Sequence, residues 1–141
     1  MSPEEILSAG QPYLDAVLVP AGFALELKWA DQGSGGRFVQ AAYVRGTRRL
    51  EFSVRQTLGL VAYVDGVSRL PHEDYIRAVT AGQQKGQYPG FGADAVDAFR
   101  DLAIDLKRFG AAFLDPSPAR LAVLCAWTDV HPRPSGLEAI Q

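Results

Sequence analysis

Apolar residues at positions 6, 7, 14, 17 and 18 (Ile6, Leu7, Leu14, Val17 and Leu18) recur at the spacing of one helix face. Ser2 and Pro3 just ahead suit a helix start: a serine side chain can accept an orphan N–H, and a first-turn proline has no needed donor to lose. Glu4 and Glu5 then lie at the positive end of the helix dipole. Gly10 and Pro12 predict a break near 10–12. Pro20 and Gly22 end the segment, and the period changes to two. Phe23, Leu25, Leu27 and Trp29 alternate with Ala24, Glu26, Lys28 and Ala30, which predicts a half-buried strand. The run 31–36, Asp-Gln-Gly-Ser-Gly-Gly, reads as a hairpin loop. Residues 37–45 form a second strand, Gly46-Thr47 a two-residue turn, and Leu50, Phe52 and Val54 one face of a third strand. Leu58–Val64 is a fourth strand. Asp65-Gly66 is a turn that demands positive φ, with a short return strand at 67–70.

After residue 71 the pattern becomes helical. Pro71-His72-Glu73-Asp74 opens a helix carrying Tyr75, Ile76 and Val79. A glycine-containing loop covers 82–92. The longest helix is expected over 94–113, with Asp94 as cap and Val96, Phe99, Leu102, Leu106, Phe109 and Phe113 as its stripe. Ser117 and Pro118 open a last helix with the apolar run Leu121–Trp127. The expected architecture is α+β: an N-terminal helix, an antiparallel meander of four to five strands, then two to three helices packed on one sheet face. Residues 1–130 form one domain and 131–141 a loose tail.

Size agrees with one domain: 141 residues and 15.2 kDa. Apolar residues are 48% and charged residues 21%, ordinary for a globular chain. The net charge of -2 argues against a general nucleic-acid binder. One cysteine, Cys125, excludes an intrachain disulfide and a multi-cysteine zinc site. There is no run of about 18 apolar residues to cross a bilayer, and the acidic start, Met1 to Glu5, lacks the features of a signal peptide. A cytoplasmic location is the expectation.

Charge is unevenly distributed. Residues 28–55 carry Lys28, Arg37, Arg45, Arg48, Arg49 and Arg55 against Asp31 and Glu51. Such a basic sheet could meet an anionic partner, or its arginines could pair with Glu51 across strands on a solvated face. The run Gly33 to Arg37 lacks the ending of a phosphate loop and joins two strands, so it reads as a hairpin. His72, Glu73 and Asp74 are consecutive helical residues and point apart, which disfavours a metal site. Asp97, Asp101 and Asp105 recur every four residues and read as a solvated helix face. Cys125, in an apolar run, reads as a small buried residue. Loop 82–92 combines Lys85, Gln87, Tyr88 and Phe91, a mixture common at binding surfaces; the alternative is that its aromatics pack back onto the body.

The stretch Leu18-Val19-Pro20-Ala21-Gly22-Phe23 after an N-terminal helix, followed by an alternating strand ending in Trp29 and a meander, resembles small bacterial proteins of immunity-type families. The resemblance covers roughly residues 5–80 and carries no site residue with it. It implies a small cytoplasmic binding protein and says nothing about the partner; some such families neutralise a toxin by binding it.

The leading expectation is therefore a non-catalytic protein-binding domain without cofactor or metal. Its candidate contact residues are Arg45, Arg55, Lys85, Tyr88 and Phe91, and its partner another protein with an acidic surface. The first alternative is a small-molecule-binding or enzymatic domain with a pocket between sheet and helices, for which Arg45, Arg55, Tyr63 and His72 are the residues to inspect. The second is a structural homodimer.

Overall fold

A computed structural model of the chain describes residues 1–33, 36–90, 92, 94–117 and 120–133. The elements run α1 (Pro3–Leu18), β1 (Ala24–Gly33), β2 (Gly36–Arg45), β3 (Arg48–Val54), β4 (Leu58–Asp65), β5 (Ser68–Pro71), α2 (His72–Val79), α3 (Asp97–Phe109), α4 (Ala111–Leu114) and α5 (Arg120–Val130). The strands form one antiparallel sheet in chain order, β1 to β5, so the protein is an α+β meander with its helices before and after the sheet.

The local chemistry accounts for most boundaries. Ser2 caps α1 by accepting the Glu5 N–H, and the Glu5 side chain reciprocates to the Ser2 N–H, a capping box. Gly46 and Gly66 each take φ +60 at the first position of a two-residue turn.

α1 does not break at Gly10 and Pro12; it is continuous from Pro3 to Leu18. Tertiary packing overrides the local preference. Gly10 is buried against α3, and a Cβ there would stand only 2.3 Å from Cγ of Phe99. The glycine that weakens the isolated helix is what lets α1 and α3 meet. The helix expected over 94–113 is instead two pieces, α3 and α4, joined at Gly110. Asp94 accepts the Val96 N–H just before α3, whose N-cap position is Val96.

One sheet face carries the core. Tyr43, Leu50 and Tyr63 lie in one cross-strand row with Leu70, and Phe52 and Val54 continue the same face. α1 and α3 cover it. Phe99 meets Phe52 edge-on at 6.3 Å, Tyr63 stacks on Tyr75 at 4.0 Å, and Phe113 stands edge-on to Tyr63 at 5.0 Å. The space between sheet and helices is thus filled by aromatic rings with almost no exposure. Hydroxyls within this layer have partners. Tyr43 donates to Asp15 Oδ1 at 2.6 Å, and Tyr75 to the Phe109 carbonyl at 2.8 Å.

Coverage fails at one margin. α1 packs on β2 and β3, leaving Leu27 of edge strand β1 67% exposed, although its alternation places it on the expected apolar face. At the other margin α5 packs on β5 and α2. There Leu121 is buried, but Val123 and Val130 are exposed and Cys125 is half-buried. The apolar run 121–127 therefore covers a margin of the fold and is not itself enclosed. Burial nevertheless raises the Cys125 thiol pKa. The expected cap at Ser117-Pro118 falls partly outside the described residues, as does the tail from 134. Residues 131–133 of that tail are attached: His131 stacks on Trp127 at 4.2 Å, and Arg133 pairs with Asp74 at 3.0 Å. Among the described residues no helix is long and apolar enough to cross a membrane.

Candidate functional site

Two groups of side chains carry the chemistry: a polar cluster inside the fold and the helix-free face of the sheet.

The inner cluster is built from four elements. Tyr63 of β4 lies 2.8 Å from Nδ1 of His72, the first residue of α2. Nε2 of His72 lies 2.8 Å from Oδ2 of Asp105 on α3. Asp105 also accepts the backbone N–H groups of Gln87 at 2.6 Å and Tyr88 at 2.9 Å. All three side chains are buried, with 0%, 3% and 1% exposure for Tyr63, His72 and Asp105. Burial holds the Tyr63 phenol well above its ordinary pKa, with the neighbouring Tyr75 and Asp105 adding to the effect. Tyr63 therefore keeps its proton and can donate to Nδ1, which leaves Nε2–H of His72 to donate to Asp105. Every polar atom of the cluster is engaged by another part of this chain. It pins loop 82–92 to the helix layer.

Asp105 thereby departs from the solvated face expected for Asp97, Asp101 and Asp105. The loop lies along that face. A Cβ on Gly86 would stand 2.4 Å from Oδ2 of Asp105, one on Gly90 2.3 Å from Oδ2 of Asp101, and one on Gly92 2.4 Å from Oδ2 of Asp97. Three glycines thus face three aspartates one helical turn apart, and the missing side chains let the backbone close onto the carboxylates. Tyr88 folds back. Its ring stands edge-on to His72 at 5.4 Å and its hydroxyl donates to the Leu58 carbonyl at 3.0 Å. Lys85 is exposed and makes no ion pair among the described residues; Phe91 lies outside them.

The arginines of the basic segment divide by role. Arg48 is 4% exposed; it pairs with Asp65 at 3.0 Å and donates to the carbonyls of Phe113, Asp115 and Ser117, fastening β3 to the end of α4. Arg45 donates to the carbonyls of Ala21 at 2.7 Å and Leu114 at 3.0 Å, with its guanidinium over the Phe23 ring. Its charge is turned into the body. Arg37 pairs with Glu4 of α1. Of the basic segment, Arg37, Arg45 and Arg48 are thus held by α1 or by backbone carbonyls, and Arg49 pairs with Glu51 on the open, helix-free face, as the solvated-face reading expects.

That open face follows from the register. Ala42, Glu51 and Ala62 form one cross-strand row, and Val44, Arg49, Val64 and Arg69 the next. Glu51 is held between Arg49, at 3.0 Å, and Arg69, so one carboxylate serves two guanidiniums. Those cations lower its pKa against the opposing effect of burial. Arg55, at the end of the same face, is exposed and lies 5.2 Å from the centre of the Phe38 ring. Neither Arg55 nor Lys28 has a carboxylate partner among the described residues.

Leu60 stands on this face near the β3–β4 turn. β4 carries an extra residue between the pairs Glu51–Ala62 and Ser53–Gly59, and Leu60 takes φ +53 in this bulge. Such a position usually holds glycine, and a leucine there costs about 1–2 kcal/mol. The bulge sends Val61 into the core and leaves Leu60 78% exposed. Leu60 borders two adjoining depressions. One, with Lys28, Glu51 and Arg69, has a volume of about 220 Å³; the other, with Phe38, Arg55 and Gln56, about 530 Å³.

Of the residues singled out from the sequence, the structure brings together Tyr63, His72 and Tyr88, with Tyr63 and His72 buried, and His72, Lys85 and Tyr88 line one depression of about 410 Å³. The fold leaves Arg55 and Lys85 in solvent and turns Arg45 inward. Asp105, Arg48, Arg69 and Leu60 were not anticipated. Comparison of the chain with protein-family models, with curated proteins and with solved structures gave no match.

Proposed function

We propose that this α+β domain acts by binding another protein, without catalysis, through the helix-free face of its sheet. The partner surface is acidic. An immunity-type or accessory role in the bacterial cytoplasm, as the sequence resemblance implies, is the setting proposed for this binding. The observation that carries the reading is the positive charge of that face, where Lys28 and Arg55 have no carboxylate partner among the described residues and Glu51 is shared by two arginines. The inner constellation of Tyr63, His72 and Asp105 supports it from the other side. Its polar atoms hold one another and loop 82–92, a structural use of these side chains.

The test begins with affinity purification from the native host and identification of the co-purifying protein. Association of that partner is then followed for wild type and for the double variant Lys28→Glu, Arg55→Glu at low and physiological salt. Unpaired surface charges act mainly on the rate of encounter, so association slows and dissociation changes little. The difference shrinks as salt shortens the screening length to about 8 Å. Equal association rates for wild type and variant at low salt would refute the reading.

A further inference from the structure

Resting on the proposed open-face reading, we infer that Leu60 is the apolar anchor of the binding surface. The partner segment it fits presents an apolar side chain flanked by carboxylates. Two independent features meet at this residue. Leu60 is 78% exposed on the helix-free face, near the β3–β4 turn. It holds a left-handed conformation, φ +53, that folding alone would assign to glycine. Strain of this sort persists where the surroundings over-determine it, and it concentrates at sites that bind.

The neighbours define the partner's chemistry. Arg55 and Phe38 lie on one side of Leu60 and Lys28 and Arg69 on the other. The cations are spaced around an apolar centre, so an acidic segment can pair at the rim while its apolar side chain displaces water from Leu60. Such an arrangement, a desolvated centre with a polar rim, concentrates binding energy at the centre. The bulge supplies the projection. Without the extra residue in β4, Leu60 would share the face of the buried Leu58 two residues before it; the bulge separates them, with Leu58 in the core and Leu60 in solvent.

The experiment uses the whole chain with leucine methyl and arginine side-chain labels, titrated with the capped peptide EDLED and with KKLKK and EDGED as controls. EDLED is expected to shift the Leu60 methyl and Arg55 signals saturably at millimolar concentration. EDGED should bind at least fivefold more weakly, and KKLKK should leave the face unchanged. Leu60→Asp should weaken EDLED at least tenfold. Leu60→Gly should weaken it similarly while melting no lower than wild type, because it relieves the left-handed strain and removes no buried contact. If EDLED and EDGED bind equally at Lys28 and Arg55, or Leu60→Asp binds within twofold of wild type, the anchor is refuted and the basic face stands. If EDLED shifts no residue of the open face, both the anchor and the face fall.

Discussion

Replacing Asp105 by alanine probes the cluster that holds loop 82–92. In the folded protein this carboxylate accepts three donors: Nε2–H of His72 and the amides of Gln87 and Tyr88. A hydrogen bond to a charged acceptor contributes about 1.5–3 kcal/mol, which sets an upper bound of about 9 kcal/mol for three. The full amount is not expected. The amides of Gln87 and Tyr88 belong to a surface loop and can turn to water when the carboxylate is gone. His72 cannot, since it is 3% exposed and fixed on its other side by Tyr63. An orphaned imidazole N–H costs about 1–3 kcal/mol, and the undocked loop adds the loss of the Tyr88 contacts. The expected destabilisation is about 3–5 kcal/mol, measured as the shift of the urea midpoint at unchanged slope. Amide exchange at Gln87 and Tyr88 should accelerate in parallel. A loss below about 1 kcal/mol, with exchange at these amides unchanged, would show that the loop is held by something other than Asp105.

Two further outcomes follow from the same architecture. Phe99→Ala and Leu106→Ala remove side chains that are 0% and 1% exposed, and each should cost about 2–5 kcal/mol in equilibrium unfolding; surface-like losses below about 0.5 kcal/mol would contradict the packing of α3. Burial pushes the phenol of Tyr88 up to about 12, so its folded form resists ionisation. Stability is complete below the unfolded value near 10 and declines as pH rises through 10 towards 12, because the unfolded chain then binds fewer protons. Tyr88→Phe should make that alkaline decline shallower, as followed by unfolding midpoints at successive pH values.

The meander was legible because β3 alternates strictly, the other strands are apolar-rich runs of strand length, and two turns carry glycine where positive φ is required. The stripe containing Phe99, Leu102 and Leu106 likewise identified the helix that covers the sheet. What could not be read locally depends on partners distant in the chain. Gly10 looks like a helix breaker until Phe99 is placed against it. The Asp105 side chain matches its neighbours along the sequence, and only the returning loop distinguishes it from a solvated carboxylate. Arg45 and Arg48 sit among other basic residues, yet the groups that hold them are carbonyls far along the chain, around residue 114. Charge counting identifies a basic segment and cannot separate structural guanidiniums from free ones. Leu60 was hidden because an added residue in β4 shifts the alternation, and no glycine marks the left-handed position itself.

The ladder of glycines against aspartates also fixes an order of assembly. Its rungs join the loop to α3 in antiparallel fashion, so Gly92 with Asp97 encloses the shortest chain, Gly90 with Asp101 a longer one, and Gly86 with Asp105 the longest. Each doubling of enclosed length adds only about 0.6 kcal/mol of closure entropy, and each earlier rung shortens the stretch still to be closed. Closure entropy therefore favours docking near the start of α3 before docking near its middle. The last rung is the one that reaches His72 and Tyr63, so the buried imidazole is sealed from water only when the ladder is complete.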